Sequence, residues 1–192
     1  MIGDPYATLA DLKSRLAIGD TVDDVELTDA LATASREVEA RTGRQFNAAA
    51  AASMRTYRVA TPWWVDIDDA VTVDAVTVDG RTWVVGVDYN LAPLNGVVDG
   101  VPGWPVSRLT ATGARCMPGG GTVAVTAVWG WTAVPAPVRE ATLVVAQEVA
   151  NLKDAPFGIK GGDEFGAVRI GKVSPRVVAM LAPYVRYPVL VA

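Results

Sequence analysis

The sequence predicts an α+β protein: N- and C-terminal helices forming a helical bundle, with an inserted antiparallel β region of sandwich or barrel type. Three observations carry this. Apolar residues between Asp23 and Gly43, and again between Pro135 and Lys153, recur with the helical period. Residues 55–134 change grammar, to Val-, Thr- and aromatic-rich runs that alternate and are punctuated by Gly or Asp-Gly. The chain then closes on a second helical stretch, so the ends share one architecture. The expected organisation is a helical domain of residues 1–46 and 135–192, with residues 55–134 inserted as the β region.

Taken in order, Thr8 is placed to cap a first helix, with Asp11 three residues on and Leu9, Leu12 and Leu16 on one face. Gly19 is expected to end it. Asp23 with Glu26 forms an acidic capping box for a second helix, whose inner face is Leu27, Ala30, Leu31, Ala34 and Val38. REVEARTGRQF then stops that helix. Gly43 suits the left-handed position past a helix end because it lacks a Cβ, Arg41 and Arg44 flank the negative end of the dipole, and Phe46 is in reach of the last turn. NAAAAASM reads as a linker or frayed turn, since so short an alanine run is marginal as a helix.

The segments TYRVA, DAVTVDAVTVDG, RTWVVGVDYNL, SRLTATG and GTVAVTAVWGW read as strands, with Asp79-Gly80 as a tight hairpin turn. Pro135 and Pro137 suit a first helical turn and open a third helix. Its inner face is Val138, Ala141, Thr142, Val145, Val149 and Leu152, while Val144 falls inside the polar arc and Leu143 on its edge. Apolar surface that wraps so far round a helix implies a second partner. A glycine-rich segment follows, then Ser174-Pro175 opening a last short helix, then the uncharged tail Tyr187, Pro188, Val189, Leu190.

The chain has 192 residues, 51% hydrophobic and 20% charged, which fits one large or two small globular domains. Apolar runs are too short to span a bilayer, and the N-terminus lacks the regions of a signal peptide, so a cytoplasmic origin and no membrane are expected. A lone Cys116 forms no internal disulfide. The chain has no histidine, which removes the Ser-His-Asp triad, the Cys-His pair, HExxH and His-ligated metals. Carboxylate chemistry remains as the enzymatic alternative. No catalytic residue, cofactor or metal is expected. Net charge is −4 and uneven: residues 1–44 carry most of the excess acid and residues 136–192 a small excess of base. That distribution is no duplex-binding stripe and suits docking onto an acidic protein.

Several motifs weaken on inspection. Gly119-Gly120-Gly121 lacks the GK[ST] of a phosphate loop and reads as a turn. Asp66, Asp68 and Asp69 lack the glycine and closing glutamate of a calcium loop and read as an exposed turn. Trp63, Trp64, Trp129 and Trp131 fit a core or an interface better than a sugar platform. Arg169, Lys172, Arg176 and Arg186 form a solvated or protein-docking face before they form a nucleic-acid site.

The order YATLADLKSRL, DDVELTDALATASREVEARTGRQF, an all-β stretch, WGWTAVPAPVREATLVVAQEVANLKD and SPRVVAMLAPYVR resembles the head-to-tail connector (adaptor, or head-completion) proteins of tailed bacteriophages. The elements that match are Thr42, Gly43, Arg44 and Phe46, then Gly130, Trp131, Val134, Pro135, Val138 and Arg139. The resemblance implies a structural virion protein of the neck. It would be a homo-oligomeric ring, usually a dodecamer, docked under the portal protein, extending the channel for double-stranded DNA and offering a platform to a downstream stopper. On it, Leu143, Val144, the four basic residues and the tail 187–190 are candidates for the subunit or portal interface. Asp23, Asp24 and Glu26 are candidates for the channel wall, and Gly43 with Arg44 for a hinge that fixes the angle between neighbours. A sixfold stopper or tail terminator, and a carbohydrate- or host-binding β module, are the rival readings.

Overall fold

The computed structural model describes residues 3–113, 115–153, 159–160, 168–169 and 174–186. It is a mixed α+β chain that divides into two compact units, Gly3–Arg44 with Val134–Tyr187, and Gln45–Ala133.

The first unit holds the helices α1 (Leu9–Leu16), α2 (Asp24–Thr42), α3 (Ala136–Lys153) and α4 (Pro175–Leu181). Helix α1 starts as its sequence asks: the Thr8 hydroxyl accepts from the Asp11 N–H at 3.1 Å, and the Asp11 carboxylate accepts from the Thr8 N–H at 3.3 Å. It stops earlier than Gly19. Ala17 takes the left-handed conformation (φ 56°), with its N–H turned back onto the carbonyls of Lys13 and Ser14. Asp23 stands before α2 but makes no side-chain cap hydrogen bond, so the expected acidic capping box does not form. The first turn is held instead by Lys13, whose Nζ pairs with Asp24 at 2.5 Å and also reaches the Asp20 carbonyl.

The inner face of α2 is the predicted one: Leu27, Ala30, Leu31, Ala34 and Val38 are all buried. Helix α2 packs along α3, α1 touches both, and α4 lies on α3. On α3, Val138, Ala141, Thr142 and Val145 are buried as expected. Two residues of its polar arc are engaged by α1, since Arg15 pairs with Glu140 at 2.9 Å and donates to Gln147 at 3.0 Å. Ser174 caps α4 by accepting from the Arg176 N–H, with Val177 and Leu181 turned inward. Two short strands, β9 (Ile159–Lys160) and β10 (Val168–Arg169), pair antiparallel. The rest of the glycine-rich segment and the tail 187–192 lie outside the described residues.

The second unit is built on one six-stranded antiparallel sheet. Its strands are β1 (Ser53–Arg58), β2 (Trp64–Val78), β3 (Arg81–Trp83), β4 (Tyr89–Ala92), β7 (Val106–Ala111) and β8 (Thr122–Trp129). The order is β1-β8-β2-β7-β4, with β3 hydrogen-bonded to β2. Among the described residues the strands form one open sheet path ending in β1 and β4, which does not establish the expected sandwich or barrel. A two-residue ribbon, β5 (Val97–Val98) with β6 (Val101–Pro102), turns on Asp99-Gly100, both at positive φ. Asp79-Gly80 turns β2 into β3 with φ of 49° and 73°, the left-handed pair that a type I′ hairpin needs. The run RTWVVGVDYNL, expected as one strand, splits into β3 and β4. Between them Asp88 bends the chain by accepting from the Val84 N–H at 2.9 Å and from Arg115 at 2.8 Å.

Strand β2 organises the sheet. Its first part pairs with β7, and its second part lies between β8 and β3. Val65 and Ile67 face the core from odd positions, whereas Ala70, Val76 and Val78 face it from even ones. Register shifts break the alternation: β2 advances four residues from Asp66 to Ala70 against two on β7, and gains one residue on β8 between Ala70 and Thr72 and another between Val73 and Ala75. Strand β8 carries no such shift in its own pattern: Val123, Val125, Ala127 and Trp129 alternate inward throughout.

The triplet Asp66, Asp68 and Asp69 thus lies in a strand, where a turn was expected. Asp66 pairs with Arg108 at 2.6 Å. Asp68 accepts from Arg55 at 2.7 Å and from the Tyr57 hydroxyl at 2.9 Å. Asp69 is buried and accepts from the Trp131 indole at 2.8 Å.

Candidate assembly surface

The features that bear on assembly sit at the two ends of α2. At its C-terminal end Gly43 adopts φ 64° and donates its N–H to the Glu39 carbonyl at 2.8 Å. The stop does more than end a helix. The Thr42 carbonyl accepts from the Arg186 N–H at 2.7 Å, and Arg44 Nε donates to the Tyr184 carbonyl at 2.8 Å. Both bonds satisfy groups that a helix end and a short 3-10 turn (Ala182–Tyr184) leave without partners. Arg44, expected beside the helix dipole and as a hinge residue, thus holds the stretch that reaches Arg186, and Arg41 pairs with Glu37 at 2.6 Å.

At the N-terminal end of α2, an open groove of about 490 Å³ has an apolar floor of Leu16, Ile18, Leu27, Ala30, Val149 and Ala150. Its rim carries Asp23, Glu26 and Asp29. Beside these acids in sequence, Val22 is 84% and Val25 75% exposed. Where α3 meets α2, burial and the nearby Glu37 push the Glu148 carboxyl above its ordinary value, an effect that Arg41 partly offsets.

The predicted interface residues scatter. Leu143 is only 7% exposed, so its apolar surface is already covered within the chain and offers nothing to a partner. Val144 is half-buried and Arg176 exposed on α4, and Arg186 is half-buried with its N–H on Thr42. Arg169 lies in β10; Lys172, Tyr187, Pro188, Val189 and Leu190 lie outside the described residues. Of the channel candidates, Asp23 and Glu26 are exposed on the groove rim, while Asp24 is held by Lys13.

Sequence reasoning missed the groove because its walls come from three separate stretches. It also missed that Val22, in the turn before α2, Val25 on α2 and Val178 on α4 (54% exposed) face outward. In the β unit, Trp129 and Trp131 are core residues: Trp131 packs its ring against Phe46 at 5.2 Å and Trp104 at 5.1 Å. Trp63 and Trp64 are exposed, with the Arg108 guanidinium 5.2 Å from the Trp64 ring. Gly119-Gly120-Gly121 is a turn whose backbone bonds to Val59 and Pro118. Among the described residues no group of three or more Cys, Asp or Glu is arranged to hold a metal ion. No described helix is long and apolar enough to cross a membrane.

The fold is one found in the necks of phage-like particles. The chain is similar to a chain in the neck of an empty GTA (gene transfer agent) particle computed with C6 symmetry, at TM-score 0.56 and 20% identity, covering 97% of this chain and 93% of that one. It is also similar to a chain in the neck of a native GTA particle computed with C12 symmetry, at TM-score 0.52 and 19% identity, covering 97% and 92%. These neighbours agree with the resemblance to head–tail connectors at the level of a neck component. No protein-family model matches the sequence, and no curated protein does.

Proposed function

We propose that this chain is a structural, non-catalytic subunit of the neck of a tailed-phage-like particle, an adaptor that forms a ring of identical copies, twelve in number, beneath the portal. The carrying observation is the fold, shared over nearly the whole chain with neck chains solved under C12 and C6 symmetry. The exposed Val22, Val25 and Val178 support it, because apolar side chains left in water by one copy are the kind that neighbours cover. In this reading the ring extends the DNA channel below the portal and presents a platform to the next neck protein. Val144, Arg169, Lys172, Arg176, Arg186 and the tail 187–190 contribute to the subunit and portal contacts.

Mass photometry of the purified protein, alone and mixed with the cognate portal, tests this. A species of twelve copies, formed alone or only on the portal, is the expected result. A strict monomer that ignores the portal would exclude the adaptor role. A six-copy ring would favour a stopper or tail terminator.

A further inference from the structure

The helical unit carries an apolar groove at one end of α2 and an apolar, cationic helix face anchored at the other. The groove has a floor of Leu16, Ile18, Leu27, Ala30, Val149 and Ala150 and a rim of three acids, Asp23, Glu26 and Asp29, with no basic residue lining it among the described residues. Lys13, which precedes the groove in sequence, is taken up by Asp24 and the Asp20 carbonyl. Helix α4 shows the complementary chemistry. Val177 and Leu181 turn inward, while Arg176, Val178, Ala179, Ala182 and Pro183 are exposed. Between Ser174 and Arg186 there are two arginines and no acid.

A chain cannot bring these two surfaces together within itself. The stretch after α4 is tied to the C-terminal end of α2 by the Arg186–Thr42 and Arg44–Tyr184 hydrogen bonds. The groove lies around Glu26 to Ala30, roughly 20 Å back along the same helix at 1.5 Å per residue. Val178 accordingly remains exposed in the single chain.

We propose that the outward face of α4 of one copy seats in the α1–α2–α3 groove of the next, Val178 against the apolar floor and Arg176 against the Asp23–Glu26–Asp29 rim. The contact is heterologous: each copy offers one helix face and one groove, so the same contact repeats head to tail around a ring. Apolar burial supplies the attraction, and the opposite charges fix orientation and reject the reversed docking. The inference rests on the ring reading above and assigns the rim acids to the contact between copies and away from the channel wall.

The test uses two charge reversals that leave the apolar core alone. Arg176→Glu spoils the helix face and keeps the groove; Asp29→Lys spoils the groove rim and keeps the helix face. Each alone is expected to raise the concentration needed for ring assembly by about tenfold or more, with helical circular dichroism unchanged. Mixed in equal amounts they are expected to restore rings near the wild-type concentration. In an alternating ring every reversed glutamate then meets a reversed lysine, and every native arginine a native rim.

In a Cys116→Ser background, the pair Thr33→Cys with Val178→Cys is expected to oxidise into a ladder of covalent multimers. Either single cysteine stops at dimers.

Wild-type rings that persist in both reversals, or reversals that fail singly and are not rescued by mixing, overturn this contact and leave the neck reading standing. A cross-link confined within single chains does the same, since it puts the groove and α4 of one copy together. Wild-type protein that forms no ring, with or without portal, overturns both.

Discussion

At Gly130 the backbone itself dictates the residue. Its φ is 110°, and an added Cβ would stand 2.0 Å from the Asn47 carbonyl oxygen. Residues 47–49 therefore lie directly on the end of β8, where the Ala49 N–H donates to the Trp129 carbonyl at 2.7 Å and the Gly130 N–H to that of Asp69. Within what the sequence offered as a linker or frayed turn, residues 47–49 are held on the strand end, and the glycine is what lets them approach. Gly130→Ala is expected to destabilise the chain by about 3 kcal/mol or more, read from the denaturant midpoint of tryptophan fluorescence. Gly119→Ala, at ordinary φ with nothing nearby, is expected to stay within about 0.5 kcal/mol.

Gly43 is a different case. A Cβ there would meet Arg186 only at ordinary contact distance, 3.6 Å, so conformation and not space requires the glycine. A β-branched residue at φ 64° is strained by about 2 kcal/mol, while asparagine tolerates the position. Relief of that strain would shift the Thr42 carbonyl and the Arg44 guanidinium, and with them the stretch behind α4. Gly43→Val is thus expected to lower ring yield in native mass spectrometry more than it lowers helix content, and Gly43→Asn to spare both. Undiminished rings in the valine variant would show that the helix stop does not set the assembly angle.

The elements divide according to how local their causes are. The inner face of α2 and the proline-led start of α3 could be read directly, because periodicity and capping are properties of a few adjacent residues. The cap of α1 was legible for the same reason. Strand β2 was not, since three acids in four residues resemble a turn until Arg108, Tyr57 and Trp131 arrive from elsewhere in the chain to hold them. The register shifts that break the alternation of β2 have no signature within the strand alone. The groove escaped for the same reason, and Leu143 was misjudged because a wheel drawn for one helix does not know how many neighbours surround it.

The seam between α2 and α3 gives a pH test. The raised Glu148 carboxyl means that the unfolded chain releases that proton at lower pH than the folded one. Its favourable contribution is present below the ordinary glutamate value and lost as pH rises through the folded value. Glu148→Gln is expected to raise the melting temperature at about pH 7 and to leave it unchanged at about pH 3. A lower melting temperature at neutral pH would mean that Arg41 outweighs burial and Glu37 at this position.

For the whole molecule, the proposed ring would require a charge distribution that lets a polyanion slide through it. The chain is net acidic, and its excess acid is concentrated in residues 1–44. Repetition around a ring multiplies that character without adding a basic stripe, because the seven bases of residues 136–192 are spread over the segment and offset by five acids. Phosphate contacts would brake the passage of DNA, and their strength would fall steeply with salt as counterions return. Assembled rings, alone or on the portal, are therefore expected to retain no linear duplex in a gel-shift assay even at about 50 mM salt. Rings formed by the mixture of Arg176→Glu and Asp29→Lys, in which half of the exposed α4 cations are reversed, should not change that result if this arginine faces a neighbouring groove as proposed. Retention by wild-type rings that weakens with added salt and falls in the mixed rings would mean that α4 lines the lumen, and would move the subunit contact to another face of the helical unit.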